Sequence, residues 1–283
     1  MWRVQAWIVC TACLGLLASR GLAQVVDRSR LDGVTAYVEN YYGRAQSLVA
    51  EETVTLENLR SDLTADGLAR RLLYEIRVDW ASDGDTPHAS IVRELLRVGN
   101  RPPKPGSEPE CLDPKGISPE PLAFLLRDRR HRFLFREAGL AVIGGRAAVM
   151  LDYRPATRDA PTITGTKECI SIDMPSRTQG RVWVDRDTHA VLRLDEQIVS
   201  VTDVRIPLQL QRQGGWGLYV TVERADSTIR YAPVTFSDPD ETLLLPTRVE
   251  SVSVIRSGGT QRLRVTQSYR NYRRFLTESR VIP

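Results

Sequence analysis

Histidine, methionine and cysteine are scarce in this 283-residue chain, and the scarcity excludes several kinds of site. The chain has three histidines, three methionines and four cysteines. No HExxH spacing occurs, and the CxxC spacing of Cys10 and Cys13 lies inside the apolar run near the N-terminus, so a zinc centre lacks ligands. A GxSxG nucleophile elbow is absent, and the glycine pairs lack the following helix that would hold a phosphate. Because no catalytic, metal or cofactor motif is present, we expect a protein that is not an enzyme and holds no cofactor.

A long block of positive charge is also missing. The chain has 39 basic and 35 acidic residues. Its first 23 positions hold Arg3 and Arg20 and no acid, so the net charge of the remainder is about +2. Basic side chains are interleaved with acids and apolar residues rather than gathered on one segment. This pattern is typical of a solvated surface and excludes nucleic acid as the expected partner.

No apolar run of membrane-spanning length follows residue 23, whereas the residues before it have the pattern of an export signal. Met1–Arg3 gives a short basic start, and the apolar run Ala6–Ala18 is too short to span a bilayer. Gly21 and Ala23 are the small residues that a signal peptidase reads. We therefore expect cleavage between Ala23 and Gln24, and a periplasmic or secreted protein without a stable membrane span.

Two cysteines remain after the signal, Cys111 and Cys169. Two thiols in an oxidising compartment form a disulfide by default, and both lie in polar loops whose backbone can adjust to the bond. The bridge would close a loop of about 59 residues and stabilise the fold by about 4 kcal/mol. We predict this disulfide, with a pair of unlinked thiols as the alternative.

Two helices are predicted. An apolar stripe at three- and four-residue spacing indicates an amphipathic helix near the N-terminus. The stripe consists of Leu31, Val34, Val38, Tyr41 and Ala45. Ser29 and Asp32 resemble a capping pair at its start. Seven prolines over Arg101–Pro121 exclude a helix interior or a central strand there, and a short helix capped by Ser118, with Pro119 at its first position, is predicted next.

Alternating apolar residues predict a sheet. Strands are expected around residues 49–59, 72–80 and 90–98, and hairpins at the glycine pairs 144–145 and 258–259. The strictest alternation places Leu72, Tyr74, Ile76, Val78 and Trp80 on one face. Sequential antiparallel pairing, without regular alternation of strands and long helices, predicts a mainly β, α+β fold in a single domain over residues 24–283.

Two patterns allow two interpretations each. The apolar face of the 72–80 strand either lines a ligand cavity or forms ordinary core against the N-terminal helix, and both can hold in a partly open barrel. Asp185, Asp187 and His189 lie at alternate positions and could serve as oxygen and nitrogen ligands of a metal ion. A turn is the favoured interpretation, because Asp and Thr side chains hydrogen-bond nearby backbone groups in turns.

The hairpin segment Gly180–Leu194 carries a resemblance to a known family. Together with the export signal, the leading helix and Leu245-Pro246 at the start of a later strand, it resembles the periplasmic half-barrel carriers of the LolA, LolB and RseB type. The chain also looks like exported bacterial proteins with the same order of segments. The resemblance implies a curved antiparallel sheet, or half-barrel, wrapping the N-terminal helix, with a second short helix. It carries over no functional residue.

Three functions remain as hypotheses. The first is a non-enzymatic exported protein that binds an apolar or amphipathic ligand, an acyl chain or a lipidated protein, in the concave face of the sheet, with the five inward residues of the 72–80 strand as ligand contacts. The second is an envelope protein-interaction or sensory module that contacts a protein partner through the loops around Cys111 and Cys169, without a small-molecule ligand. The third is an exported hydrolase whose carboxylates converge in three dimensions. The acids considered for that role are Glu51, Glu52, Asp238, Asp240 and Glu241.

Overall fold

A large, curved antiparallel sheet that is not closed into a barrel dominates the computed structural model. The structure describes residues 24–45, 47–81, 88–106, 120–165, 170–174, 176–214 and 217–274. The α-helices are α1 (Arg28–Arg44) and α2 (Leu208–Gly214), and two 3₁₀ helices cover Glu120–Leu125 and Arg130–Arg132. The strands are β1 (Gln24–Val25), β2 (Leu48–Asn58), β3 (Arg70–Ala81), β4 (His88–Val98), β5 (Phe133–Ile143), β6 (Arg146–Pro155), β7 (Thr162–Gly165), β8 (Ile170–Asp173), β9 (Thr178–Asp185), β10 (Val191–Ile198), β11 (Thr202–Arg205), β12 (Tyr219–Ser237), β13 (Asp240–Arg256) and β14 (Thr260–Arg274). The predicted fold class is confirmed.

The strand order shows that the two ends of the chain meet in the sheet. The order is β1-β5-β6-β9-β10-β12-β13-β14-β2-β3-β4, with β11 paired to β12. Most neighbours follow one another along the chain, as the hairpin signals predicted. The pairs β1-β5, β6-β9, β10-β12 and β14-β2 do not, and β14 pairs with β2 across the longest separation, about two hundred residues of sequence. A second, two-stranded sheet consists of β7 and β8.

Helix α1 is confirmed, but its predicted cap is wrong. Val34, Val38 and Tyr41 of the stripe are buried. The N-cap residue is Asp27, whose carboxylate accepts hydrogen bonds from the Ser29 backbone N–H at 3.0 Å and the Ser29 hydroxyl at 2.7 Å. A carboxylate at this position satisfies a free N–H group of the first turn. The predicted partner, Asp32, instead pairs with a guanidinium of the second 3₁₀ helix.

The predicted hairpins are confirmed, whereas the proline of Leu245-Pro246 does not open a strand. Gly144 and Gly145 join β5 to β6 with positive φ angles of 56° and 80°, which a tight hairpin turn requires and side chains disfavour. Pro246 lies inside β13, opposite Tyr231. The ladder shifts register beside this pair, because proline has no N–H to donate and a bulge accommodates the missing bond.

The inner face of the sheet, defined as the face that α1 covers, holds the main core. Val34, Val38 and Tyr41 of α1 join inward residues of β2, β3, β6, β9 and β13 in one apolar cluster. The first 3₁₀ helix adds Leu122, Phe124 and Leu125 to that cluster. The second short helix is thus confirmed in place, while Ser118 and Pro119 lie outside the described residues.

Candidate functional site

The apolar face predicted to contact a ligand is closed by the protein itself. Leu72, Tyr74, Ile76 and Val78 have no exposed surface. Ile76 and Val78 belong to the main core beneath α1, whereas Leu72 and Tyr74 form a smaller cluster with Val54. The side chain of Trp80 lies outside the described part of the chain. The core interpretation therefore holds for these four residues, and their contact with a ligand stays a prediction.

The open part of the inner face lies further along the sheet, where five adjacent strands form a trough. One row crosses them as Leu56 on β2, Val265 on β14, Ser251 on β13, Ser227 on β12 and Glu196 on β10. These side chains line a cleft of about 1110 Å³. Ligand pockets in proteins commonly occupy a few hundred to about 1,000 Å³, so the cleft can hold a small molecule or an acyl chain.

The lining of this cleft is mainly apolar, with polar groups at intervals. Its apolar side chains are Leu56, Leu68, Pro121, Phe124, Ile172, Met174, Leu194, Ala225, Ile229, Val249, Val252, Leu263 and Val265. Phe124 forms one side and stacks on Tyr153 with ring centroids 4.2 Å apart. The hairpin of β7 and β8 forms another side, where Ile172 also contacts the small cluster around Leu210 of α2. Phe124 and the hairpin of β7 and β8 cover the sides of the trough and leave its middle open.

A second, polar cleft adjoins the apolar one, and Glu196, Asp226 and Ser227 line both. Its volume is about 920 Å³. Two arginines on its wall, Arg136 and Arg181, share one carboxylate and contact opposite oxygens of Asp152 at 2.8 and 2.6 Å. Asp152, Arg181, Asp195 and Thr228 form one cross-strand row that continues to Glu250, and this row alternates with the inward row that contains Glu196 and Ser227. Most of the polar cleft therefore lies on the outer face, and the sheet separates its charged side chains from the apolar trough.

The position of Glu196 depends on a glycine in the neighbouring strand. Tyr153 on β6 pairs with Gly180 on β9, and Gly180 pairs with Glu196 on β10, so the three share one row. The Tyr153 hydroxyl donates to Glu196 Oε2 at 2.8 Å. A Cβ atom at Gly180 would overlap the Asp195 carbonyl oxygen and lie 2.9 Å from the Tyr153 ring. The absence of a side chain at Gly180 lets the tyrosine lie across β9 and reach the carboxylate.

Glu196 is held in a setting that disfavours its charge. Burial raises its pKa, while the hydrogen bonds from Tyr153 and Thr178 lower the pKa by less. The unfolded chain gives the carboxyl its ordinary pKa of 4.5. At pH values between 4.5 and the raised pKa of the folded protein, the Glu196 carboxyl group is ionised in the unfolded chain and protonated in the folded protein. The free energy of unfolding therefore falls as pH rises through this window.

We expect Glu196→Gln to stabilise the protein at pH 7. The gain should be about 1.4 kcal/mol for each unit by which folding raises the pKa of Glu196, because the amide removes the cost of ionising the group. Urea denaturation at pH 7 and at about pH 4 measures it, and the difference from the parent should shrink at the lower pH. Glu250→Gln on the outer face, where the carboxylate pairs with Arg248, serves as the control. A variant less stable than the parent at pH 7 contradicts the prediction.

A buried ion pair lies at the inner end of the apolar cleft. Arg93 Nη2 donates to Glu52 Oε1 at 2.7 Å, and the Gln267 side-chain amide donates to the same oxygen at 3.0 Å. Glu52 has no exposed surface. Burial raises the pKa of Glu52, and Arg93 opposes that rise. Gln267 also lines the cleft, so this pair fixes one wall of it.

The loop with Asp185, Asp187 and His189 is a turn. The Asp185 carboxylate accepts hydrogen bonds from the backbone N–H groups of Asp187 and Thr188, and Arg146 Nε donates to it at 2.8 Å. The turn interpretation is confirmed. Among the described residues, no group of three or more histidine, cysteine, aspartate or glutamate side chains could hold a metal ion.

Three of the five acids considered for hydrolysis each pair with an arginine. The Glu51 carboxylate pairs with Arg270 at 3.0 Å, while Glu52 pairs with Arg93. Adjacent strand residues point to opposite faces of a sheet, which separates these two carboxylates. Glu241 pairs with Arg44 at 2.8 Å and also with Arg274. These three acids are therefore engaged in ion pairs.

Several predictions involve residues that the structure does not describe. Cys111, Cys169 and Ala23 lie outside the described residues, so the disulfide and the cleavage site stay predictions. Gln24 is the first described residue and begins β1. Within the described chain, no helix is both long and apolar enough to cross a bilayer.

The sequence reasoning missed the inward row of Tyr153, Gly180 and Glu196. Glu196 follows Leu192 and Leu194 along β10, and period-two alternation places Glu196 on the same face as Leu194. An acid at an inward position of a strand is the signal that could have identified it. Gly180 and Tyr153 gave no comparable signal, because their relation depends on strand pairing.

Comparisons with known proteins give likenesses of fold. No protein-family model matches the chain, and no curated protein matches it. Among solved structures, it is similar to a DUF1329 family protein from Desulfovibrio piger, at 11% identity over 90% of this chain and 96% of that one, with a TM-score of 0.46. A putative outer membrane lipoprotein-sorting protein domain from Vibrio parahaemolyticus matches at 9% identity over 87% and 92%, with a TM-score of 0.43. A LolA superfamily protein from Nitrosomonas europaea matches at 9% identity over 87% and 94%, with a TM-score of 0.33. The predicted resemblance to LolA-type proteins is confirmed as a likeness of fold, and the proposals below rest on the cleft itself.

Proposed function

We propose that this protein is an exported, non-enzymatic binding protein whose inner sheet face takes an apolar or amphipathic ligand, an acyl chain or the acyl group of a lipidated protein. The observation that supports the proposal is the cleft of about 1110 Å³ between Phe124 and the hairpin of β7 and β8. An apolar surface of this extent that is not covered by the protein is typical of a binding groove.

The shape of the site suits an amphipath better than a wholly apolar molecule. The trough includes Glu196, a carboxylate among mainly apolar side chains, which accepts a hydrogen bond from Tyr153 on the same face. A ligand that lies along the trough would place its chain against Leu194, Ile229 and Val249 and its polar end beside Glu196. The alternative function, a protein-interaction module that uses the loops around Cys111 and Cys169, depends on residues outside the described part of the chain.

A displacement assay tests the proposal. Purified protein is loaded with the fluorescent apolar dye N-phenyl-1-naphthylamine, and dodecan-1-ol is titrated in. We expect saturable dye binding and displacement by the alcohol. Ser251→Trp should weaken both by about tenfold or more, because the indole fills the trough at the middle of its central row.

The matched control is Thr266→Trp. Thr266 follows Val265 on β14 and therefore lies on the outer face, so its indole should leave dye affinity within about twofold of the parent. Circular dichroism and urea denaturation show that both variants are folded. Absence of saturable dye binding to the parent, or equal weakening in the two variants, contradicts a ligand site in this cleft.

A further inference from the structure

Glu196 differs from Glu52 and Asp185 in having neutral hydrogen-bond partners alone. Its partners are the hydroxyl groups of Tyr153 and Thr178. No arginine or lysine of the described residues lies within ion-pairing distance of it. By contrast, Glu52 pairs with Arg93, and Asp185 pairs with Arg146. Glu196 is thus a partly buried acid without a counter-ion among the described residues, in the lining of the apolar cleft.

We infer that the ligand supplies this counter-ion: the cleft takes an amphipath with a positively charged ammonium head group, which pairs with the carboxylate of Glu196. The inference rests on the proposed function and adds the charge of the ligand. An uncompensated carboxylate beside apolar surface costs free energy in the empty protein, and a cation in the ligand removes that cost. Unpaired acids of this kind occur preferentially at functional sites.

The surroundings of Glu196 favour a cation over an anion. The charged residues that adjoin it along the strands point to the other face, where Asp195 pairs with Arg193 and Asp226 pairs with Arg224. Arg136 and Arg181 share Asp152 on that outer face. Arg154 also belongs to the outer face, because it follows the inward Tyr153 on β6. A fatty carboxylate with its chain in the trough would bring a second negative charge to Glu196, where no described cation compensates the first.

The net charge of the chain cannot produce a preference for a cationic ligand. The chain has a formal net charge of +4, or about +2 without its first 23 residues, and either value repels small cations. A preference for a cationic ligand must therefore arise locally. The three amphipaths dodecylammonium, dodecan-1-ol and dodecanoate share one chain and differ in head-group charge, so their competition for the dye site isolates that local effect.

The experiment compares the three ligands, each below its critical micelle concentration, on the parent, Glu196→Gln and Glu250→Gln. At pH 8 the parent should bind dodecylammonium about tenfold or more tightly than dodecan-1-ol, and dodecanoate most weakly. Glu196→Gln keeps the shape of the side chain and should abolish the preference. Glu250→Gln removes the same charge from the outer face and should retain it.

The pH dependence has a definite direction. As pH falls, Glu196 takes up a proton and the preference for dodecylammonium over dodecan-1-ol should disappear, whereas dodecan-1-ol binding should change little. If all three ligands bind the parent equally, or Glu196→Gln keeps the preference, the charge assignment is overturned while the proposed function stands. If none of the three displaces the dye and the dye itself does not bind, the proposed function fails instead.

Discussion

Arg93→Met should lower the free energy of unfolding by about 3–5 kcal/mol, because it leaves the Glu52 carboxylate buried without its cation. The guanidinium lies 2.7 Å from Glu52 Oε1 and 5.1 Å from the centre of the Tyr74 ring. Gln267 would remain as a neutral donor and compensates a charge less well than a cation does. Urea denaturation at pH 7 measures the loss.

The double variant Glu52→Leu/Arg93→Met is the control for this prediction. Replacing both members of a buried ion pair by apolar side chains is often neutral or stabilising, so the double variant should recover most of the stability that the single variant loses. The penalty of Arg93→Met alone should also shrink at acidic pH, since burial raises the pKa of Glu52 and protonation removes the unpaired charge. If the free energy of unfolding of Arg93→Met lies within about 1 kcal/mol of the parent value, the prediction for the buried ion pair is contradicted.

Gly180→Ala should destabilise the protein by about 3 kcal/mol, at the upper end of the range for overpacked sites. The added methyl group would overlap the backbone carbonyl oxygen of Asp195, and a backbone atom inside a paired sheet cannot move aside. It would also meet the ring of Tyr153, whose hydroxyl holds Glu196. The substitution therefore removes stability and displaces Glu196 in the apolar cleft. Thermal or urea denaturation detects the first effect.

Gly43→Ala is the matched control. Gly43 lies on α1 with no atom within 4 Å of the added Cβ, so the same change should stabilise the protein by about 0.5–1 kcal/mol through the helix propensity of alanine. Opposite signs for the two glycine substitutions are the expected result. Equal stability of Gly180→Ala and the parent would mean that β9 and β10 can separate at this row without cost.

Local patterns predicted the local structure well. The stripe from Leu31 to Ala45 predicted α1, and the alternation from Leu72 to Val78 predicted a strand with one buried face. The glycine pairs predicted two hairpins, because positive φ angles are a property of single residues. Each of these signals depends on neighbours in sequence, which is why the sequence alone was sufficient.

The cleft could not be predicted in the same way. Which stretch of the inner face stays open depends on where Phe124 and the β7 and β8 hairpin come to lie, and the sequence carries no signal for either position. The face that alternates most strictly, around Tyr74, proved the best covered, because its large side chains meet α1 and Val54. The predicted helix cap was wrong for a simpler reason: Asp27 and Ser29 both suit an N-cap, and they are only two positions apart.

The pairing of β14 with β2 has a consequence for how the chain matures during synthesis. Strands β2, β3 and β4 are made early, yet one edge of β2 has no partner until residues 260–274 emerge. An unpaired edge of eleven residues is a template for joining another chain. Contacts between such distant segments also slow folding. The nascent polypeptide therefore exposes an aggregation-prone strand edge until its last strand has been synthesised. This exposure favours binding by a chaperone during that time.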